Sequence, residues 1–266
     1  MAALFLTVTL RHFRSRLFHP LVSGRHMHKF HLLAAATAIL LAGPSQANDA
    51  HAPAAADTAS QVRGVVSTIL QSNARFSKAT PSRHFQKFAE RQTPRATVVT
   101  CADSRVHEND FHLSPDNDLF MVRNIGNQMA TAEGSVEYGV RHLHTPLLLI
   151  IGHAACGAIK AASGDYSGIE PPIRKELDTI QIPKGIDVTD GVLLNVNRQV
   201  DAAMQKFTPE IGAGKLAVIG AFYDFRNDLK AGYGKLLVTN VNGETDPASI
   251  QAMLRQGKLL KGVAPY

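Results

Sequence analysis

Two cysteines and one histidine carry the chemistry this chain has to offer. Cys101 opens the segment Cys101-Ala-Asp103-Ser104-Arg105, and His153 stands three residues before Cys156 in Gly152-His153-Ala-Ala-Cys156-Gly157. Two thiols and an imidazole suit Zn²⁺. Three protein ligands leave the fourth tetrahedral position open to water or substrate, which marks a catalytic rather than a structural zinc. No further cysteine exists to close that position. Spacing alone does not decide the matter, because two buried thiols or one disulfide, beside a histidine satisfied in its own loop, would give the same residues. Asp103 and Arg105, two apart, could serve such a site as a pair or form an ordinary surface ion pair.

The elements that must position these residues are strands. Residues 96–100 are a β-branched run that ends on Cys101, and residues 147–152 are wholly apolar and end on His153. Continuous apolar strands between helical segments predict an α/β fold, a central and mostly parallel β-sheet flanked by helices. Ligands bind such sheets at the carboxyl ends of the strands, where both cysteines fall. Further strands are expected at 119–124, running into Gly126, and at 216–222 and 235–241. Helices are expected at 60–71, around 85–91, and at 131–142, 193–207 and about 246–256, with 164–185 mostly loop. Val62, Val65, Val66, Ile69 and Leu70 share one face of the first of these, an amphipathic N-terminal helical arm.

The 28 Lys plus Arg against 22 Asp plus Glu give a formal net charge of +6 over 266 residues. That balance invites a nucleic-acid or membrane-surface partner, but the positions of the charges argue otherwise. Arg11, Arg14, Arg16, Arg25 and Lys29, and no acid, lie in residues 1–47. Residues 32–42 are apolar or small throughout; roughly 20 apolar residues are needed to span a bilayer, so this run suits the core of a secretory signal instead. Gly43-Pro44 then breaks the helix, and Ser45 and Ala47 supply the small side chains wanted before a cut after Ala47. Residues 1–47 are therefore expected to be a leader, with the signal peptide proper over about 27–47 from Met27. Residues 48–266 should form one domain, exported to the periplasm. Beyond the leader, 23 cations face 22 anions, which leaves no case for nucleic acid and no stable membrane anchor. With 45% hydrophobic and 19% charged residues, the chain is neither disordered, collagen-like nor a coiled coil.

The residues around the cysteines narrow the choice. Cys101-Ala-Asp103-Ser104-Arg105, Phe120-Met-Val-Arg123-Asn124-Ile125-Gly-Asn127, Ser135-Val-Glu137-Tyr138 and Gly152-His153-Ala-Ala-Cys156-Gly157 occur in this order. Together they resemble the signature segments of the β-class carbonic anhydrases, and a weaker likeness runs through Asn195-Val196 to Asp224.

That resemblance implies one Zn²⁺ per chain, held by Cys101, His153 and Cys156, and the reversible hydration of CO₂ to bicarbonate and a proton. Zinc lowers the pKa of its bound water, so a hydroxide becomes available near neutral pH. Two thiolates cancel the charge of the metal, so activity is expected to favour alkaline pH. The likeness makes Asp103 and Arg105 a catalytic dyad, in which Arg105 keeps Asp103 ionised and turned to the zinc water. In some members the same aspartate binds the metal and shuts the site, so Asp103 is also a possible fourth ligand in a closed state. Gln92, nine residues before Cys101, matches a substrate-binding glutamine, and Phe120, Ile125 and Tyr138 match the apolar walls of the CO₂ pocket. Neither His107 nor His112 can be assigned as a proton relay. Without tryptophan, the inhibitory bicarbonate site that some relatives line with that residue is not expected.

Two rival activities share these residues: a CS₂ or carbonyl sulfide hydrolase on the same metal site, and a zinc or thiol module without turnover. Against the latter, Cys101 and Cys156 lack a CxxC arrangement. The resemblance also implies a homodimer or homotetramer in which the arm at 60–71 embraces a neighbour and Phe120 and Tyr138 act across the interface.

Overall fold

The structure, a computed structural model, describes residues 55–260; the expected leader lies outside them. Helix α1 (Ala55–Ala79) includes the expected arm, and the compact body of the protein runs from Val66 onward. Within that body Val66, Ile69, Leu70 and Phe76 are exposed apolar side chains of α1. A second, short helix, α2 (Ser82–Gln86), follows, its Phe85 ring edge-on to Phe76 at 6.0 Å. It starts and stops earlier than the helix expected around 85–91: Pro81 sets its entry, and residues 87–90 form turns.

Five strands form one sheet: β1 (Ala96–Cys101), β2 (Leu119–Asn124), β3 (Leu147–His153), β4 (Ala217–Asp224) and β5 (Lys235–Val241). Their order is β2-β1-β3-β4-β5, with the first four parallel and β5 antiparallel to β4. All six residues of β1 and all eight of β4 are buried. That is the two-sided burial a continuous apolar strand predicts.

Helices cover both faces: α3 (Glu133–Glu137), α4 (Gly157–Ser163), α5 (Pro171–Leu177), α6 (Val188–Lys206), α7 (Thr208–Gly212) and α8 (Pro247–Gln256). Helix α6 begins five residues before the apolar period becomes visible. Asp187 caps it by accepting from the backbone N–H groups of Thr189 and Asp190, a start written in polar residues. It lies close on the sheet, because a Cβ on Gly152 of β3 would fall 2.6 Å from Val192 Cγ1. The helix expected at 131–142 is instead α3 followed by a π-helical stretch, Tyr138–His142, in which the Leu143 N–H reaches back to the Tyr138 carbonyl. Both the N–H and the hydroxyl of Thr145 donate to the Gly139 carbonyl, which anchors the wider turn.

Parallel pairing delivers the chemistry-bearing residues to one end. Register aligns Cys101 with Asn124 across β1 and β2, and His153 with Tyr223 across β3 and β4. Cys156 then lies at the start of α4, four residues past Gly152. Among the described residues no helix is long and apolar enough to cross a membrane.

Candidate metal centre

Cys101, His153 and Cys156 are all buried, and their ligand atoms lie within 4.8 Å of one another. The His153 tautomer is settled by its surroundings: Nδ1–H donates to the Ala154 carbonyl at 2.9 Å, so Nε2 carries the free lone pair. That Nε2 is buried and has no hydrogen-bond partner. An orphaned imidazole nitrogen costs free energy unless something accepts its lone pair. Facing two thiols, it makes an N/S/S donor set that fits zinc.

The two sulfurs are electrostatically unequal. The Cys156 thiol hydrogen-bonds to Cys101 and draws it well below the usual thiol range; against burial, His153 and the Gly126 N–H act in the same direction. Donating to that thiolate, and its own burial, push Cys156 up, against the backbone N–H groups of Ile159 and Ala158. A divalent metal bound here would take the place of that thiol–thiolate hydrogen bond.

Asp103 lies at the rim. Its Oδ1 accepts from the Arg105 Nε at 2.8 Å and the Arg105 backbone N–H at 3.0 Å, and its Oδ2 accepts from Nη2 at 2.7 Å. These bonds from Arg105 hold the carboxyl well below the usual carboxylate range. Arg105 Nη2 also reaches the Ala155 carbonyl at 3.2 Å, tying the dyad to the loop between the His153 and Cys156 ligands. Asp103 Oδ2 is 3.8 Å from His153 Nε2, so the carboxylate faces the proposed metal ligands.

Two further side chains contribute, neither with a role assigned from sequence. Arg123, on β2, donates Nη2 to the Asp103 carbonyl at 2.8 Å and Nε to the Cys101 carbonyl at 3.3 Å, bracing the segment that carries a ligand and the dyad. Phe225, the residue after β4, stacks on His153 and lies under the Arg105 guanidinium. An arginine inside a quoted motif was a usable signal for the first; a single aromatic after a strand gives none for the second.

The other expected site residues divide into two groups. Ile125 packs against the cluster that includes Cys101 and Cys156. Gln92, Phe120 and Tyr138 do not reach it within one chain. Phe120 pairs with Thr97, four residues before Cys101, a separation of roughly 13 Å along the strand. Gln92 lies in the exposed loop before β1, and Tyr138 is 46% exposed, 5.9 Å from Phe120 and stacked on His142 at 5.5 Å. His112 is fixed in its loop, with Nε2 on Asp118 at 2.6 Å and Nδ1 accepting from the Ser114 N–H. His107 Nε2 is 3.2 Å from the Ser104 carbonyl.

Comparison with known proteins gives a consistent picture. Residues 96–230 match the family model described as carbonic anhydrase. The chain is 30% identical over 192 residues to the carbonic anhydrase of Mycolicibacterium smegmatis, covering 62% of this chain and 91% of that protein. It is 36% identical to carbonic anhydrase 2 of Mycobacterium tuberculosis, over 58% of this chain and 84% of that one. Among solved structures, a tetrameric β-carbonic anhydrase of the ascomycete Sordaria macrospora matches with a TM-score of 0.55 at 26% identity, covering 66% of this chain and 96% of the other.

Proposed function

This chain belongs to the β-class carbonic anhydrases, and we propose that it binds one Zn²⁺ between Cys101, His153 and Cys156 and hydrates CO₂ reversibly to bicarbonate and a proton. The observation that carries the metal assignment is the buried, unpartnered Nε2 of His153 opposite two buried thiols. Zinc, when bound, supplies the Lewis acidity that makes water acidic enough to act as a nucleophile near neutral pH.

The remaining work falls to the chain itself. Asp103, ionised and turned toward the metal ligands, would accept a hydrogen bond from the reacting water at Oδ2 and orient it. Arg105 keeps it in that role by saturating its other lone pairs. Ile125 supplies an apolar wall, suited to a linear, non-polar substrate. Gln92, Phe120 and Tyr138 complete the pocket from a second copy of the chain, which is why one chain alone leaves them far from its own cysteines.

A homodimer or a tetramer follows from that sharing, and the exposed apolar face of α1 supports it. Export through the 1–47 leader makes the working enzyme periplasmic; a mature N-terminus at Asn48 is the test of that step.

Stopped-flow CO₂ hydration on wild type and Cys156→Ala, with metal analysis and a CS₂ control, tests the assignment. Wild type should hold about one zinc per chain and turn over CO₂, and the variant should lose both. A zinc-loaded wild type no faster than buffer would end this reading.

A further inference from the structure

Phe225 is the point at which the dyad and the metal ligands meet. The Arg105 guanidinium carbon lies 4.9 Å from the centroid of its ring. The His153 imidazole stacks against the same ring at 6.2 Å with an interplanar angle of 23°, and Tyr223 leans on it at 5.8 Å. Phe225 also packs against two core clusters, one containing Cys101 and Cys156 and the other containing Val106 and Tyr223.

The backbone beneath it is firmly held. Asp224 is fully buried, and its two carboxylate oxygens accept from the N–H groups of Asp228 and Leu229, each at 2.8 Å. The Asp224 carbonyl accepts from the Gly234 N–H at 2.8 Å, and the Tyr223 carbonyl from the Ala154 N–H at 3.0 Å. The ring is therefore a fixed surface, joined through Ala154 to the loop that carries His153 and Cys156.

Arg105 needs such a surface. Its side chain is 49% exposed, and an ion pair at that exposure is loosely held in water. An aromatic face under the guanidinium adds the attraction that keeps the cation in one geometry. The consequence passes to Asp103, whose Oδ2 is 3.8 Å from His153 Nε2 and is restrained from turning farther by Arg105.

We propose that Phe225 is a positioning residue: it holds Arg105 on Asp103 and so keeps the carboxylate off the metal, leaving the fourth coordination position to water and small anions. This rests on the metal reading proposed above. Asp103 has two destinations, Arg105 or the metal, and the Phe225 ring favours the first. A smaller, non-aromatic side chain shifts the population toward the second, and any ligand that needs the open position then binds more weakly in proportion.

The test uses the cobalt-substituted full-length enzyme, with azide as the probe and the visible spectrum of the metal as the readout. Phe225→Leu and Phe225→Met should retain the metal and bind azide about tenfold more weakly, as expected if the open state falls to about one tenth. Phe225→Tyr, which keeps the ring, should bind azide like wild type. In Phe225→Leu/Asp103→Asn the competing carboxylate is gone, and azide affinity should return. Azide binding by the Leu and Met variants within twofold of wild type, or no recovery in the double variant, overturns the proposal. A wild type that takes up no cobalt, or does not hydrate CO₂ with zinc, instead overturns the metal reading beneath it.

Discussion

Arg123 Nη2 donates to the carbonyl oxygen of Asp103 at 2.8 Å, crossing from β2 to the segment that leaves β1. Its Nε reaches the Cys101 carbonyl as well, so one guanidinium braces both a metal ligand and the dyad through their backbones. No carboxylate pairs with it among the described contacts. Its positive charge is spent on two carbonyls that would otherwise lack these partners.

Removing that brace should be felt in stability and in catalysis. Arg123→Leu is expected to lower unfolding free energy by about 1–3 kcal/mol, the usual range for losing charge-assisted hydrogen bonds at a partly buried site. Displacing Asp103 by even ~1 Å can cost on the order of 100-fold in rate. Urea unfolding and CO₂ hydration rates on the same samples measure both. Arg123→Lys, which keeps one donor and the charge, should recover part of the stability and little of the rate.

Gly126 is under two constraints. Its φ is +77°, in the left-handed region, and a Cβ there would fall 2.8 Å from Ile180 Cδ1. Gly126→Ala should therefore destabilise by about 2–3 kcal/mol, strain and steric conflict together. Ile180→Val removes the Cδ1 methyl, so in the Gly126→Ala background it should be less costly than alone. Additive urea midpoints in the double variant would show that the Ile180 contact is not what forbids the methyl.

Acid should weaken the fold through its surface carboxylates. Glu137 is held below the usual carboxylate range by Lys206 and Arg141, Glu210 by Arg141, and Asp118 by Arg95 and His112. A folded-state pKa below the unfolded one gives stability that is complete above the unfolded value, ~4, and is lost as pH falls through the folded value. The urea midpoint should thus decline as pH falls below about 4.5. Glu137→Gln should make the acid decline shallower. At neutral pH it should cost some stability, because Glu137 pairs with both Lys206 and the half-exposed Arg141.

How much of this was legible beforehand depended on whether a residue acts through local pattern or through contacts far along the chain. The apolar run 147–152 and the β-branched run 96–100 announce buried strands, and their ends bring Cys101 and His153 to the carboxyl end of the sheet. The start of α6 was missed because Asp187 caps it with a polar turn that has no apolar period. The π-helical stretch at Tyr138–His142 depends on Thr145 bonding back to Gly139, a contact no periodicity reveals. Phe225 is silent for the same reason: its partners lie 120 and 72 positions earlier in the chain, at Arg105 and His153.

The distance between Phe120 and the cysteines leads to the last prediction. The proposed pocket walls lie at the far end of the chain's own sheet, so the proposed activity requires another copy to supply them. Ile69 and Leu70, 60% and 64% exposed on α1, are apolar side chains left without cover in a single chain. Placing two carboxylates on that face, as in Ile69→Asp/Leu70→Asp, should convert an oligomer to a monomer, read by light scattering. The metal content of that monomer should stay near one zinc per chain, because Cys101, His153 and Cys156 all come from the same chain. Its CO₂ hydration rate should collapse, because Gln92, Phe120 and Tyr138 of a second copy are gone. A monomeric variant that keeps both its zinc and its rate would mean that one chain builds the whole pocket, and that Phe120 and Tyr138 serve only to pack β2 against the π-helical stretch beside it.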